Sequence, residues 1–235
     1  MSNIIITGAG KGIGFELAKL FCAEPGHQVI AISRNIGALI ELDKNKNENA
    51  LFFSGLHPYK FDLVNGSMSE LKEFVCLYFD KVDVLINNAG SLVNKPFRET
   101  TSADFDQVFQ TNLKSVFFVV QKLLPLMVKG SHIVNIGSMG GFQGSSKFPG
   151  LSVYSASKGA LATLTECLAE ELKEDGISVN CLALGAARTE MLETAFPGYN
   201  APLSAKEMAV FIKDFALTGS RYFTGKILPV STSTP

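Results

Sequence analysis

Four polar residues in the middle of the chain have types and spacing suited to moving a proton onto a carbonyl oxygen. Tyr154 and Lys158 are four residues apart, which places them one turn apart on the same face of a helix. A free phenol has a pKa near about 10, and a neighbouring ammonium lowers that pKa by favouring phenolate. Tyr154 is therefore predicted to be the general acid in reduction and the general base in oxidation. Ser138 is predicted to hydrogen-bond the substrate oxygen where charge develops, and Asn112 lies upstream.

A glycine-rich turn follows the first apolar, strand-like segment of the chain. Residues 7–14 read Thr-Gly-Ala-Gly-Lys-Gly-Ile-Gly and lead into a helical pattern. Glycines let the backbone approach a pyrophosphate closely, and the amides and dipole of a helix N-terminus favour its negative charge. Such a turn also occurs without a ligand, but its place at the first strand–helix junction indicates a dinucleotide site. The predicted contacts come from Gly8, Gly10, Lys11, Gly12, Ile13 and Gly14.

The loop after the second predicted strand indicates which dinucleotide binds. A carboxylate commonly found there hydrogen-bonds the ribose 2′-hydroxyl of NAD and would repel a 2′-phosphate. Here the position holds Ser33, followed by Arg34, and the glycine-rich turn contributes Lys11. Two cations near the adenosine ribose suit a phosphate, so NADP(H) is the predicted cofactor. The alternative is that Lys11 and Arg34 are ordinary surface charges.

Short apolar, β-branched segments alternate with helical patterns along the chain. The predicted strands are residues 3–7, 28–33, 59–61, 83–87, 132–137, 178–183 and 226–230. The predicted helices are residues 12–23, 36–44, 67–79, 102–129, 153–175 and 204–216. This alternation is typical of a parallel sheet covered by helices on both faces. The sequence therefore predicts a single α/β domain over residues 1–235, a Rossmann-type doubly wound parallel sheet of about seven strands, with a flexible tail at 231–235.

Composition and charge argue against several other classes of protein. The net charge is -1, so we expect neither nucleic acid nor an anionic membrane as a partner. The most apolar stretch, residues 116–128, is interrupted by polar residues and is too short to span a bilayer. The four cysteines lack C-x-x-C spacing and the three histidines form no paired motif, so no metal site is predicted. The same cysteine usage favours a reduced, cytoplasmic location.

Four motifs occur in the order found in one large family of oxidoreductases. They are Thr7-Gly8-x-x-x-Gly12-Ile13-Gly14, Asn87-Asn88-Ala89-Gly90, Ser138 and Tyr154-x-x-x-Lys158. Asp62, Asn112 and Asn180 match as well. Together these residues resemble the short-chain dehydrogenases/reductases over essentially the whole chain. The combination of Ser33-Arg34 with Lys11 looks like the NADP-preferring, carbonyl-reductase-like members.

The resemblance implies a role for each matched residue. Asn112 would hold a proton-relay water near Lys158, and Lys158 would bind the nicotinamide ribose as well as lower the Tyr154 pKa. Asp62 and Leu63 would contact adenine. The remaining expected contacts with the cofactor are Asn88, Ala89, Gly90, Gly185 and Thr189, of which Thr189 would hold the carboxamide.

Three departures from the family pattern lie around the substrate pocket or the subunit contacts. Leu184-Gly185 stands where the family usually has Pro-Gly. Ser138 and Tyr154 are further apart than is usual, so the loop between them is enlarged. The Ser-Thr-Ser-Thr-Pro sequence of residues 231–235 stands where the family commonly has Asp-Gly-Gly. Aromatic and sulfur side chains in the two expected pocket loops suggest an apolar substrate, or else pack the loops down: Phe142, Phe148, Met191, Phe196 and Tyr199.

The predicted function is hydride transfer between NADP(H) and the carbonyl or secondary alcohol of a small, apolar molecule. A 3-oxoacyl-carrier-protein reductase is an alternative within the family, but residues 190–203 hold two Glu and no Lys or Arg to meet an acidic carrier. A dinucleotide-binding sensor without turnover is the alternative from another class, although such proteins typically lose the tyrosine or lysine present here. Wide apolar faces on the predicted helices 102–129 and 153–175 favour a homodimer or homotetramer.

Overall fold

The computed structural model describes residues 2–44 and 55–232, which form a seven-stranded parallel sheet with helices on both faces. The strands of this sheet are β1 (Ser2–Thr7), β2 (His27–Ser33), β3 (Leu56–Lys60), β4 (Val82–Asn87), β5 (Met127–Ile136), β6 (Ser178–Leu184) and β9 (Ile227–Val230). A two-residue ladder pairs β7 (Ala187–Arg188) with β8 (Leu203–Ser204). The helices are α1 (Gly12–Cys22), α2 (Gly37–Lys44), α3 (Met68–Cys76), α4 (Ser102–Phe109), α5 (Ser115–Leu123), α6 (Ser152–Glu171), α7 (Glu190–Ala195) and α8 (Ala205–Thr218). The predicted fold class is confirmed.

The central strands are apolar on both faces because helices cover both sides of the sheet. In β1, Ile4, Ile5 and Ile6 all have no exposed area. Ile4 and Ile6 pack with residues of α1, α2 and α8, whereas Ile5 packs with residues of α3, α5 and α6. This is the continuous apolar run expected of a buried parallel strand, rather than the alternation of a half-exposed one.

The order of the strands creates a crevice at one edge of the sheet. The order is β3-β2-β1-β4-β5-β6-β9, so β1 has its chain neighbour β2 on one side and β4 on the other. Ligands of such sheets bind outside the carboxyl ends of the strands, at the point where the order reverses. The glycine-rich turn follows β1, residues 88–90 follow β4, Ser138 lies just beyond β5, and Gly185 follows β6. The topology therefore brings most of the predicted site to one edge.

The predicted helix at 102–129 is wrong in its extent. It is divided into α4 and α5 by a π-helical turn at Gln110–Lys114, and α5 ends at Leu123. A short 3-10 turn containing Pro125 follows, and β5 begins at Met127, five residues before the predicted strand. Proline lacks the amide that an α-helix needs in its interior, which explains the ending. The apolar pattern runs on from the helix into the strand, so periodicity alone did not separate them.

The bounds of α6 and β9 agree more closely with those predicted from the sequence. Helix α6 begins one residue before its predicted start and ends at Glu171 rather than at residue 175. Strand β9 ends at Val230, whose carbonyl accepts a 2.8 Å hydrogen bond from the Gly185 amide. Residues 233–235 of the predicted flexible tail lie outside the described residues, and the tail remains a prediction.

Candidate active site

The glycine-rich turn is shaped by close approach of the backbone to its neighbours. Gly8 has a φ of +68°, a conformation that side chains other than glycine rarely adopt. A Cβ at Gly14 would overlap the carbonyl of Gly8. Asn88 fixes the turn from β4, because its Nδ2 donates to the carbonyls of Thr7 (3.0 Å) and Gly8 (3.1 Å). Helix α1 then begins with no side-chain cap on its amides and no acidic residue in its first turn, which suits an anion.

Ser33, Arg34 and Asp62 lie together at the end of the crevice where an adenosine is expected. Asp62 accepts hydrogen bonds from the Val64 amide (2.9 Å) and from Asn65 (3.0 Å). These hydrogen bonds, with a smaller contribution from the Arg34 charge, lower the pKa of Asp62. Arg34 therefore lies close enough to Asp62 to act on it electrostatically, and the carboxylate stays ionised.

Lys11 is not a free cation. Its Nζ lies 2.6 Å from Oε2 of Glu190, the first residue of α7, and both side chains are largely exposed. This ion pair bridges the crevice from the glycine-rich turn to α7. Sequence reasoning missed it because the two residues are far apart in the chain and no motif relates them.

Tyr154 and Lys158 project from the first turns of α6 towards Ser138. Tyr154 and Ser138 line the same cavity, and Ser138 acts on the phenol in the direction that lowers the Tyr154 pKa. Ser138 Oγ also accepts the Gly140 amide at 3.1 Å. Lys158 is 5% exposed, and its Nζ donates to the Ile136 carbonyl at 2.7 Å. The predicted grouping of phenol, ammonium and hydroxyl is therefore present in space.

The electrostatics of the pair differ from the expectation. The pKa of Tyr154 is raised, because burial disfavours the phenolate more than the Ser138 hydrogen bond favours it. Lys158 does not contribute to this shift: its Nζ is 5.9 Å from the centre of the Tyr154 ring and donates to a backbone carbonyl. The lowering expected from Lys158 together with an oxidised nicotinamide stays a prediction. Burial also lowers the pKa of Lys158 to about 8.

Asn112 lies behind the cleft, in the π-helical turn, and its side chain is fully buried. Its Nδ2 donates to the Ser91 carbonyl and to Ser157 Oγ, both at 2.9 Å, while its Oδ1 accepts the Ser91 amide at 2.7 Å. The side chain thus ties the segment after β4 to α6. The role implied by the resemblance, that Asn112 would hold a proton-relay water near Lys158, stays a prediction.

A continuous cavity of about 480 Å³ runs from the glycine-rich turn to Tyr154. Most of the predicted residues line it: Gly8, Gly10, Lys11, Gly12, Ile13, Ser33, Arg34, Asp62, Leu63, Asn88, Ala89, Gly90, Ser138, Tyr154, Lys158, Gly185 and Thr189. Gly14 and Asn112 do not line it and support it from behind. Thr189 also caps α7, because its Oγ1 accepts the Leu192 amide at 3.2 Å.

The end of the cavity beyond Tyr154 is apolar and aromatic. It is lined by Leu92, Met139, Phe148, Leu151, Met191, Phe196 and Tyr199. Phe142, expected in this group, does not line the cavity, and its carbonyl instead accepts hydrogen bonds within its own loop. Leu92, Met139 and Leu151 were missed because single apolar residues in loops carry no sequence signal.

A doubly wound sheet with a glycine-rich turn at its switch point, and a tyrosine–lysine pair beside it, is the arrangement of a dinucleotide-dependent oxidoreductase. The family model described as short chain dehydrogenase matches residues 2–200. The chain therefore belongs to the short-chain dehydrogenase/reductase family.

Individual relatives and solved structures are similar over most of the chain. Carbonyl reductase (NADPH) 2 of Sus scrofa is 37% identical over 180 residues, covering 75% of this chain and 68% of that protein. The 3-oxoacyl-(acyl-carrier-protein) reductase of Thermotoga maritima is 33% identical over 243 residues, covering 96% and 94%. A short chain dehydrogenase of Escherichia coli CFT073 complexed with NADPH has a TM-score of 0.84 at 28% identity, covering 97% and 95%. A 4-hydroxyisoleucine dehydrogenase complexed with NADH has a TM-score of 0.83 at 26% identity, covering 98% and 97%.

Two further observations concern the described residues alone. Within residues 2–44 and 55–232, no cluster of three or more His, Cys, Asp or Glu side chains could hold a metal ion. Among the helices of the same part of the chain, none combines the length and the apolar character needed to cross a membrane.

Proposed function

We propose that the protein is an NADP(H)-dependent oxidoreductase that reduces the carbonyl group of a small, neutral, apolar molecule, or oxidises the corresponding alcohol. The observation that carries the proposal is that Ser138, Tyr154 and Lys158 line the same cavity, between the glycine-rich turn and its apolar end. A carbonyl oxygen placed there would meet a proton donor on one side and the cofactor site on the other.

Tyr154 is the proposed proton donor. Burial raises its pKa, so the phenol is protonated at neutral pH and ready to protonate a carbonyl oxygen on which charge develops. Ser138 would donate its hydroxyl to the same oxygen and hold it in place. Lys158, with a pKa of about 8, carries its charge at neutral pH and would stabilise the phenolate left after transfer. The bound nicotinamide would supply or accept the hydride.

The proposed preference for NADP(H) rests on the residues around the adenosine end. Ser33 brings no negative charge where a carboxylate would repel a 2′-phosphate. Arg34 presents a planar fork of donors that matches phosphate oxygens. Lys11 is close by, but a phosphate would have to compete with Glu190 for its ammonium. Arg34 is therefore the proposed main determinant and Lys11 a secondary one.

A second candidate is 3-oxoacyl-carrier-protein reductase, because a relative of that name aligns with almost the whole chain. An acidic carrier would need cations at the mouth of the cavity. Glu190 lines the cavity, and in the smaller pocket beside it Glu193 adds a second carboxylate while Arg188 donates to the Ala201 carbonyl at 2.9 Å.

Two further proposals concern assembly and location. Phe105, Phe117 and Phe118 are exposed on α4 and α5, which supports a homodimer or homotetramer that would cover them. The four cysteines have no C-x-x-C spacing, which supports a reducing compartment such as the cytoplasm.

The test is NADPH consumption measured with aldehydes, ketones, diketones, quinones, sugars and acyl thioesters. We expect turnover with neutral apolar carbonyl compounds and little with acyl thioesters. Tyr154→Phe should remove nearly all turnover while NADPH binding stays close to that of the wild type, because the change deletes the proton donor and little packing. Turnover by Tyr154→Phe above about a tenth of the wild-type rate across pH would rule out the acid–base assignment.

A further inference from the structure

Two segments close the apolar end of the cavity, and they meet at one side chain. The first, the enlarged loop (residues 140–152), joins β5 to α6; the second, the flap (residues 189–200), contains α7. Asn94, in the connection after β4, donates from Nδ2 to the Ala195 carbonyl of the flap at 2.7 Å. The adjacent Lys95 amide donates to the Gly150 carbonyl of the enlarged loop at 3.0 Å.

The contact between Asn94 and the enlarged loop is close. Gly150 has a φ of +84°, and a Cβ at this position would overlap Asn94 Oδ1. The loop backbone therefore lies directly against the amide whose nitrogen holds the flap. Asn94 itself is exposed on its outer side, whereas Ala195, whose carbonyl it binds, is 8% exposed.

Each segment is held together internally, so that a shift at Asn94 is transmitted through it. In the enlarged loop, Lys147 Nζ donates to the Phe142 carbonyl and to Ser145 Oγ, both at 2.7 Å. In the flap, the Phe196 amide donates to the Leu192 carbonyl at 2.8 Å, and Thr189 caps the start of α7. Each of the two segments is therefore a compact loop held by its own hydrogen bonds.

The two units place one aromatic ring each at the apolar end of the cavity. Phe148 of the enlarged loop and Phe196 of the flap form an edge-to-face pair, with centroids 6.3 Å apart and planes at 67°. Both rings line the cavity beyond Tyr154. Rings at this separation attract each other only while their backbones are held at the right spacing.

We propose that Asn94 is a positioning residue for the substrate pocket. Its amide, hydrogen-bonded to the flap and packed against Gly150 of the enlarged loop, couples the two segments and sets the spacing of Phe148 and Phe196 around the apolar part of the substrate. Asn94 does not touch the reacting atoms and acts through the two rings. The substrate part of this proposal rests on the proposed carbonyl-reducing function, whereas the mechanical part does not.

Amide hydrogen exchange tests the mechanical part without any turnover. We expect Asn94→Ala to accelerate exchange in the enlarged loop and in the flap together, by about three- to tenfold, as the loss of one net hydrogen bond predicts. Lys147→Ala is the control that loosens the enlarged loop, and Arg188→Ala, which removes the 2.9 Å bond to Ala201, is the control that loosens the flap. Acceleration by Asn94→Ala in one segment alone, or in neither, would overturn the proposal.

Kinetics test the positioning part. We expect Asn94→Ala to raise KM about three- to tenfold for an aromatic aldehyde, with a smaller change in kcat and in the KM for NADPH. KM for propanal, too small to reach both rings, should change less than twofold. In a Phe148→Ala/Phe196→Ala background the added Asn94→Ala should also change KM less than twofold, because both rings that it positions are gone. Equal effects in both backgrounds would overturn the positioning role. A wild type that reduces no carbonyl compound would refute the proposed function, and the exchange experiment would still decide the role of Asn94.

Discussion

Replacement of Lys158 by methionine is predicted to stabilise the protein without cofactor while removing its turnover. Burial lowers the Lys158 pKa from 10.5 to about 8, although the neighbouring Cys181 acts weakly in the other direction. At about 1.36 kcal/mol per pKa unit, burying this charge costs on the order of 3 kcal/mol of folding free energy. Methionine has a similar length and no charge, but leaves the Ile136 carbonyl without its donor, which costs about 1–2 kcal/mol. The net expectation at pH 7 is a gain of about 1–2 kcal/mol, or roughly 3–6 °C in Tm.

The stability difference between the wild type and Lys158→Met should depend on pH. The folded-state pKa of Lys158 lies below the unfolded value, so the penalty is fully present below pH 8 and is relieved as pH rises to 10.5. The wild type should therefore gain stability relative to Lys158→Met across that window, and the advantage of the variant should disappear at its upper end. Calorimetry at pH 7, 9 and 10.5 measures this directly.

A matched control separates burial from the general loss of a lysine. Lys173→Met removes an exposed ammonium paired with Glu170 at 3.4 Å, and should change Tm little at any of the three pH values. A Lys158→Met variant that is less stable than the wild type at pH 7, or whose Tm difference does not vary with pH, would refute the reasoning.

Three further predictions concern the cofactor, acid stability and assembly. Arg34→Ala should weaken NADPH binding by about tenfold or more, with little effect on NADH binding. Glu190→Gln should strengthen NADPH binding, because it releases Lys11. Equal affinity of the wild type for NADPH and NADH in a titration would contradict both predictions. Burial lowers the His132 pKa to about 4, so the free energy of unfolding should fall by on the order of 3 kcal/mol as pH falls from 6.5 to 4. In urea unfolding of His132→Gln, the free energy of unfolding should depend less on pH over this range. Light scattering at micromolar concentration should give a mass of at least twice 25.3 kDa, and a monomer mass would contradict the proposed assembly.

The parts of the site that could be predicted from sequence are those set by local rules. The glycine-rich turn is identified by its place between a strand and a helix, and Tyr154 and Lys158 by their spacing on one helical face. Both depend on residues close together in the chain. The strand-end positions of Ser138 and Gly185 follow from the parallel sheet, because the carboxyl ends of its strands meet at one edge.

The parts that could not be predicted depend on contacts between distant segments. The Lys11–Glu190 ion pair joins residues far apart in the chain, and no spacing rule relates them. The raised pKa of Tyr154 comes from burial of the phenol in the folded protein, which cannot be read from the spacing of Tyr154 and Lys158. Asn94 belongs to neither pocket loop and carries no motif, so its contacts become visible only in three dimensions.

The π-helical turn at Gln110–Lys114 fixes the rotational phase between the two helices that it joins. Successive residues of an α-helix are rotated by about 100°, so one residue more or less in the turn would rotate α4 by that angle relative to α5. Val108 in α4 and Val116 in α5, on either side of the turn, are both buried at the present count of residues. The length of this segment is therefore constrained more tightly than its composition. We expect a one-residue deletion here to disturb both helices and Asn112, whereas the exposed Lys114 side chain should tolerate exchange.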